Sequence, residues 1–258
     1  MISDEQKKHL VESLNKGIRY DKRKFDEYRN IEVEYGISKS AEGSARVKIG
    51  NTDVMVGVKL GIDKPYPDTP TEGCLMVEAE LLPLSSPEFE AGPPDIKAIE
   101  LARVVDRGVR EAKAIDMKKL CIQEGEKVWI VFIDICTIND DGNLLDAAGI
   151  AAIAALKNAK FPEYNGIEIN YKKHTEQSLP LTKYPMPVTV YKIGNNFIVD
   201  PTLVEEKAFD ARLTVTFAED KICALQKGGE SPLTLDDISK MIDIAARKAE
   251  DLQKIITK

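Results

Sequence analysis

The stretch KVWIVFIDICTINDDGNLLDAAGIAAIAALKNAK, residues 127–160, decides how this chain folds. Its first part, KVWIVFIDICTI, is almost continuously apolar with a single acid, Asp134, and such a run is typical of a strand buried on both faces. NDDGN then predicts a turn. LLDAAGIAAIAALKNAK is apolar around almost its whole circumference, which predicts a helix in the middle of the fold. A central strand followed by a buried helix is therefore expected here.

Composition limits the classes of protein that this chain can belong to. The 258 residues are 43% hydrophobic and 31% charged, enough to bury a core in one large domain or two closely packed ones. A net charge of −7 argues against wholesale wrapping of nucleic acid, so any contact with a polyanion has to be local. The cysteines are far apart and form no CxxC pair, which indicates buried thiols in a reducing compartment.

Membrane insertion and secretion are not expected. The longest uncharged apolar run, AAGIAAIAAL, has about half the length of a membrane span, and the N-terminus MISDEQKKHL is polar where a signal peptide needs an apolar segment. We expect a soluble protein of the cytoplasm.

Two groups of strand patterns lie on either side of the central stretch. The first group, IEVEYGI, SARVKIG, TDVMVGVKLG and CLMVEAELLP, predicts an antiparallel sheet of four strands. After a loop around Pro162 and a connector to Pro187, the second group predicts another sheet, from the segments PVTVYKIG, NFIVD, ARLTVTFA and KICALQKG. This repetition suggests an α+β fold of two similar halves.

Three further helices are predicted outside the central stretch. One begins at Ser3 and ends at Gly17. A second follows Pro93 and Pro94 and runs to about Asp116. A third, amphipathic helix closes the chain, introduced by Ser231, Pro232 or Thr234.

A row of arginines lies on the helix that follows Pro94. Arg103, Arg107 and Arg110 recur at spacings of four and three, which places them on one face with the apolar residues opposite. An ordinary solvated face with ion pairs to neighbouring acids explains such a row. The use of arginine at all three positions favours recognition of phosphate or carboxylate groups.

The order of several motifs resembles the ribonuclease PH family. These motifs are DKRKFDEYRNI, GSARVKIGNTDVMVGV, ARVVDR in the arginine helix, WIVFIDI followed by DGN and the alanine-rich helix, and FIVDPTLVEE. The similarity extends from about Ile18 to the C-terminal helix, and within the family the chain most resembles the non-catalytic ring subunit of the archaeal exosome.

The resemblance implies a ribonuclease PH-like α+β fold of two βαβα-type halves with an N-terminal and a C-terminal helix. The N-terminal helix is expected in residues 1–17, the first half in 18–160 and the second half in 161–258, all in one compact unit. The resemblance also implies a six-membered ring in which this chain alternates with a catalytic paralogue around a channel that admits single-stranded RNA. Subunits with S1 or KH domains would cap one face.

Active members of the family degrade RNA by phosphorolysis, in which inorganic phosphate attacks the terminal phosphodiester at the 3′ end. Their phosphate pocket lies in a segment similar to DGGTRTA at the start of the buried helix. The matching stretch here is DGNLLDA, in which Leu145 takes the place of the arginine and Asp146 follows it. Because leucine cannot bind phosphate and a carboxylate repels it, we expect a degenerate phosphate site formed by Asn143, Leu144, Leu145 and Asp146.

The second site of active members is a pair of aspartates six residues apart, just after a strand. In VDPTLVEEKAFDARLTV the first position falls on Glu206 and the second on Arg212, while a shift of two residues brings Asp210 to the second position. We therefore expect a degenerate catalytic acid site at Glu206, Asp210 and Arg212. Asp200 and Glu205 add to these acids, which either belong to a solvated turn or form a metal site.

Two functions stay open at this point. The favoured one is a non-catalytic subunit that needs no cofactor or metal and holds RNA with Arg103, Arg107 and Arg110 near the active site of its catalytic partner. The alternative is a phosphorolytic or metal-dependent 3′-to-5′ exoribonuclease. Neither a hydrolytic triad nor a nucleotide-binding motif of the GxxxxGK[ST] or GxGxxG kind is present in the sequence.

Overall fold

Two sheets enclose a buried helix in this protein, for which a computed structural model describes residues 2–257. The elements of the first part are α1 Asp4–Asn15, β1 Ile31–Tyr35, β2 Gly43–Ile49, β3 Thr52–Asp63, β4 Cys74–Glu80, α2 Ile96–Glu111, a 3-10 helix Met117–Leu120, β5 Cys121–Gln123, β6 Lys127–Asn139 and α3 Leu144–Asn158. Those of the second part are β7 Lys160–Tyr164, β8 Ile169–Ser178, β9 Met186–Ile193, β10 Asn196–Val199, α4 Leu203–Glu206, β11 Ala211–Ala218, β12 Lys221–Gly228 and α5 Leu235–Thr257.

The mixed α+β class and the terminal helices are as predicted. Ser3 caps α1 in a capping box with Gln6, and the Thr234 hydroxyl accepts a hydrogen bond from the backbone N–H of Asp237 at 3.1 Å in the first turn of α5. The division into residues 1–17, 18–160 and 161–258 stays a prediction, and its outer ends, Met1 and Lys258, lie outside the described residues.

The first sheet has the order β1-β2-β3-β6-β4, with β5 paired to β6. The prediction of four consecutive antiparallel strands is wrong for β4, which pairs with β6 in parallel. The long loop between β3 and β4 removes the constraint of a tight hairpin, so β6 enters between them. The most apolar strand thereby takes a central position, where burial is greatest.

The prediction that β6 is buried on both faces is also wrong. On the face towards α3, Val131, Ile133 and Ile135 are fully buried. On the opposite face Phe132 is only partly buried and Asp134 is exposed. The difference arises because a helix layer covers one face of this sheet, so the strand has a single acid at a position that meets solvent.

The helix α3 is buried almost all round, as its sequence predicts, and it contacts β2 and β3 on one side and β9 on the other. Two glycines allow this close packing. A Cβ atom at Gly43 would collide with the carbonyl oxygen of Ala155, and one at Gly149 would collide with the ring of Pro187. The buried helix therefore joins the two sheets through backbone contacts that leave no room for a methyl group.

The second sheet has the order β10-β9-β11-β12 and matches the four predicted strands. The connector before it differs from the prediction, because β7 and β8 pair as an antiparallel hairpin instead of forming a loop. Pro162 lies within β7, at one of the irregularities of the β7–β8 pairing. This hairpin has no strong alternation of polar and apolar residues, which explains why the pattern did not reveal it.

The helix α2 ends at Glu111, about five residues earlier than expected. Lys113 adopts a left-handed conformation with φ +51°, and the Ala114 carbonyl accepts a hydrogen bond from Thr182 N–H at 2.8 Å. These contacts to the connector compete with the last helical turn. No helix within residues 2–257 is both long enough and apolar enough to cross a membrane.

We expect the variant Gly149→Ala to lower the free energy of unfolding by about 1–3 kcal/mol, because its new methyl group collides with Pro187. Alanine is favoured over glycine in a helix by up to about 1 kcal/mol, which is too small to offset the collision. Urea denaturation followed by circular dichroism measures the change.

Gly108→Ala in α2 is the matched control. Its methyl group would lie 3.4 Å from Thr216 Cγ2, an ordinary contact, so its stability should be unchanged or higher. Equal stabilities of the two variants would contradict the close packing of α3.

Candidate functional site

The site lies where the turn before α3 meets the loop after β10. Gly142 has φ +87°, and a Cβ atom there would lie 2.6 Å from the Pro201 carbonyl oxygen. Asn143 follows with φ +64°. The DGN turn thus needs glycine at its second position because the loop after β10 packs directly against it.

Buried ion pairs hold this junction together. Asp200 is completely buried, and both of its carboxylate oxygens accept hydrogen bonds from Arg29, at 2.7 Å from Nη2 and 2.9 Å from Nε. Arg23 Nη1 donates to the same carboxylate at 2.9 Å, and Asn143 Nδ2 at 3.0 Å. A second buried pair joins Arg19 to Glu205 at 2.7 Å. The arginines before β1 are therefore paired with acids of the same chain.

The predicted phosphate site contains carboxylates of the chain instead of an open pocket. Leu145 is only 7% exposed and Asp146 is fully buried. Asp146 accepts hydrogen bonds from the Tyr28 hydroxyl at 2.6 Å and the Thr189 hydroxyl at 2.7 Å. The backbone N–H of Asn143 donates to Glu206 at 3.3 Å. The helix N-terminus, which attracts anions, thus already faces an internal carboxylate.

The three residues of the predicted acid site have different partners. Glu206 accepts a hydrogen bond from the Tyr191 hydroxyl at 2.7 Å, and burial raises the pKa of its carboxyl group. Arg212 donates to Glu100 of α2 at 2.7 Å, while its Nη1 is buried without a partner among residues 2–257. Asp210 is bound by Lys7 of α1 and by the backbone N–H of Gly194, each at 2.7 Å.

The acids around Asp200 have protein partners where a metal site would need free ligands. Asp200 and Glu205 are neutralised by buried arginines, and Asp210 by Lys7. Across residues 2–257, no group of three or more His, Cys, Asp or Glu side chains is placed to hold a metal ion.

The arginine row on α2 divides into two kinds of residue. Arg110 pairs with Asp106 at 2.6 Å and donates to the Leu75 carbonyl at 3.1 Å. Arg103 and Arg107 are exposed, and their side chains form no hydrogen bond or ion pair with any residue from 2 to 257. Two guanidinium groups on this helix are thus available for an anion that the chain itself does not supply.

Two contacts at the site were missed by sequence reasoning. Tyr28 and Asp146 are 118 residues apart, and Arg212 and Glu100 are 112 residues apart. No local pattern connects such residues. The available signal was the acid Asp146 in the apolar first part of α3, since a buried acid needs hydrogen-bond donors from elsewhere.

Family models that match most of the chain identify the class of this protein. The model of domain 1 of the 3′ exoribonuclease family, RNase PH, matches residues 27–162, and the model of domain 2 matches residues 183–248. The chain therefore belongs to the ribonuclease PH family of 3′ exoribonucleases.

Several individual members of this family are similar to the chain over almost its whole length. The exosome complex component Rrp42 of Pyrococcus horikoshii is 49% identical over 255 residues, which cover 96% of this chain and 92% of the relative. Rrp42 of Methanocella arvoryzae is 48% identical over 255 residues, with coverage of 98% and 96%. A solved structure described as an Archaeoglobus fulgidus exosome with RNA bound to the active site is similar with a TM-score of 0.91 and 45% identity, covering 97% of both chains. Rice Rrp46, at 16% identity and a TM-score of 0.69, shares the fold.

The titration of Asp146 gives a prediction about stability. Burial raises the pKa of Asp146 from 3.8 to about 7 in the folded protein. Between these values the folded state binds more protons than the unfolded state, so the wild-type protein loses stability as the pH rises towards 7. The variant Asp146→Asn has no titrating group at this position, so its stability does not fall in this way as the pH rises. We expect its stability relative to wild type to rise by about 2–3 kcal/mol between pH 5 and pH 8.

Urea denaturation at the two pH values measures this difference. Glu176→Gln is the control, because Glu176 is exposed, and its stability relative to wild type should be the same at both pH values. A relative stability of Asp146→Asn that does not change with pH would contradict the burial of a titrating carboxyl group.

Proposed function

We propose that this chain is a non-catalytic ring subunit of an archaeal exosome, which holds RNA and shapes the active site of a catalytic ribonuclease PH-like partner. The observation that carries this proposal is the occupation of the anion pocket by the chain's own carboxylates. Asn143 N–H is directed at Glu206, and Asp146 is buried where active members of the family have a residue next to the phosphate.

Electrostatics argues against phosphorolysis at this position. A phosphate placed about 4 Å from a carboxylate is repelled by on the order of 4 kcal/mol per unit charge pair at an effective dielectric constant of about 20. The missing arginine at position 145 removes a preorganised donor as well, and loss of one such donor alone lowers a rate by about 10²–10³. Leu145 cannot replace it, since its side chain is apolar and buried.

RNA binding is supported by the two free arginines of α2. Arg103 and Arg107 lie one helical turn apart, are exposed and have no partner among the described residues. Guanidinium groups in this arrangement bind phosphate oxygens without reading bases. The net charge of −7 keeps the contact confined to this face. Arg110 contributes less in our proposal, because Asp106 already neutralises it.

The similar proteins support the proposed partners. The similar proteins carry the name of an exosome component, and one similar solved structure is an exosome with RNA. We therefore assign this chain to a hexameric ring in the cytoplasm, in which copies of the chain alternate with the catalytic subunit. Cap subunits with S1 or KH domains lie on one face of this ring. The conformation and contacts of the residues before β1 suggest an internal role for Arg19, Arg23 and Arg29, which leaves other surfaces for the ring contacts.

Activity of the chain alone is expected to be absent. The purified chain, incubated with a 3′-labelled RNA, magnesium and phosphate, should release no nucleoside diphosphate, because its phosphate pocket is occupied. Addition of the catalytic subunit should start release. Chromatography of the labelled products measures both stages, and release by this chain before mixing would overturn the non-catalytic assignment.

Replacement of the arginines by alanine should weaken RNA binding by the assembled ring. We expect Arg103→Ala with Arg107→Ala to lower the dependence of log affinity on log salt concentration by about one unit or more, as expected for the loss of two phosphate contacts. Arg110→Ala alone should have a smaller effect. Lys221→Ala, on the exposed end of β12, is the control. An unchanged salt dependence in the double variant would contradict the RNA-binding role.

A further inference from the structure

A cleft of about 340 Å³ lies between α2 and the strands β11 and β12, next to the two free arginines. It is bounded on one side by the helix and on the other by the edge of the second sheet. A volume near the lower end of the range for small-molecule sites, which is about 300–1,000 Å³, suits one nucleotide. The cleft is separate from the occupied anion pocket at the start of α3.

Apolar side chains form the walls of this cleft. Ile99 is about half exposed on α2, and Val104 is buried beneath it, while Leu225 borders the cleft on β12. Ala224 lies across from Thr216 in the register of the two strands and contributes only a methyl group. The small side chain at position 224 leaves open a space between aliphatic surfaces, against which a flat ring can pack.

Thr216 supplies a polar group inside the cleft. Its side chain is only 2% exposed, yet its hydroxyl forms no hydrogen bond with any other residue from 2 to 257. The hydroxyl of its neighbour on the same face, Thr214, is bonded to Thr189 at 2.9 Å. Gln226, opposite Thr214, also lines the cleft and has no side-chain hydrogen bond within the described residues. The Thr216 hydroxyl is therefore free to donate or accept a hydrogen bond within the cleft.

Positive charge lies at the mouth of the same cleft. Arg103 and Arg107 both line it, and neither is neutralised within the described part of the chain. Glu100 also lines the cleft, but its carboxylate is paired with Arg212 at 2.7 Å. The arrangement therefore combines an apolar slot, two free polar groups within it and two free guanidinium groups at its edge, which matches the base and the phosphate of a nucleotide.

We propose that this cleft binds one nucleotide, with its base between α2 and β12 and its phosphate on Arg103 and Arg107. The inference rests on the proposed RNA-binding function and extends it from the strand's phosphates to one of its bases. Thr216 and Gln226 contact the base edge. The nucleotide comes either from an RNA strand or from free nucleoside diphosphate, since both present the same groups.

Equilibrium binding of two probes to the purified chain tests the cleft. The probes are a fluorescent single-stranded oligoadenylate and ADP. Ala224→Met fills the slot and leaves both arginines in place, so it should weaken oligoadenylate binding about tenfold without changing its salt dependence. Thr216→Val removes only the hydroxyl and should weaken binding about threefold. Ile222→Met is the control on the same strand, at a residue 43% exposed that does not line the cleft.

The two probes distinguish the sources. If Ala224→Met weakens the binding of oligoadenylate but not of ADP, the cleft binds an RNA strand. If it weakens the binding of both probes, the cleft binds free nucleotide as well. If Ala224→Met bound both probes as wild type does, the proposal that the cleft binds a nucleotide would be overturned. Weakened ring assembly with unchanged nucleotide binding would also overturn it, because a partner's side chain would then occupy the slot.

The arginine double variant separates this proposal from the function on which it rests. If that variant lowers the salt dependence while Ala224→Met has no effect, the RNA-binding function stands and the base site is wrong. If neither has an effect, both fail. Photocrosslinking of an oligoadenylate with 8-azidoadenosine locates the base directly, because it should label residues 224–226 in wild type and in the correctly folded control Ile222→Met, and not in Ala224→Met.

Discussion

The buried carboxylate of Asp200 is the constraint on which the architecture of the site depends. Arg23, Arg29 and Asn143 all donate to it, so the segment before β1, the turn before α3 and the loop after β10 meet at one charge. A buried acid without these donors would be strongly unfavourable, and removal of one partner from such a pair typically costs about 3–5 kcal/mol. The three segments are therefore fixed relative to one another, and the backbone groups at the start of α3 have one arrangement only.

The same junction is filled by side chains of the chain itself. Asp146, which we propose lies at the position of a phosphate contact in active members of the family, is bound by Tyr28 and Thr189. Arg212 connects β11 to α2 through Glu100. Buried polar groups need partners within the protein, and this pair links the helix with the free arginines to the second sheet.

Much of the fold could be predicted from the sequence, because local pattern and tertiary environment agree. The buried helix α3, the four strands of the second sheet and the cap at Ser3 follow from periodicity and side-chain chemistry, whereas the sequence left Ser231, Pro232 and Thr234 open as the start of α5. Three features could not be predicted in this way, because each depends on contacts between distant segments. They are the parallel pairing of β4, the hairpin of β7 and β8, and the end of α2 at Glu111. Within the site, the type of residue at positions 145 and 146 was informative, whereas the partners of Asp146 and Arg212 lie more than 100 positions away.

The packing of α3 has a consequence during synthesis of the chain. This helix belongs to the first part of the sequence, yet one of its faces, at Gly149, is covered by Pro187 of the later sheet. A ribosome that has made α3 must add β7 to β9 before that alanine-rich surface is shielded from water. Until then the nascent chain exposes the hydrophobic surface of α3 to solvent, and chaperones recognise intermediates of this kind.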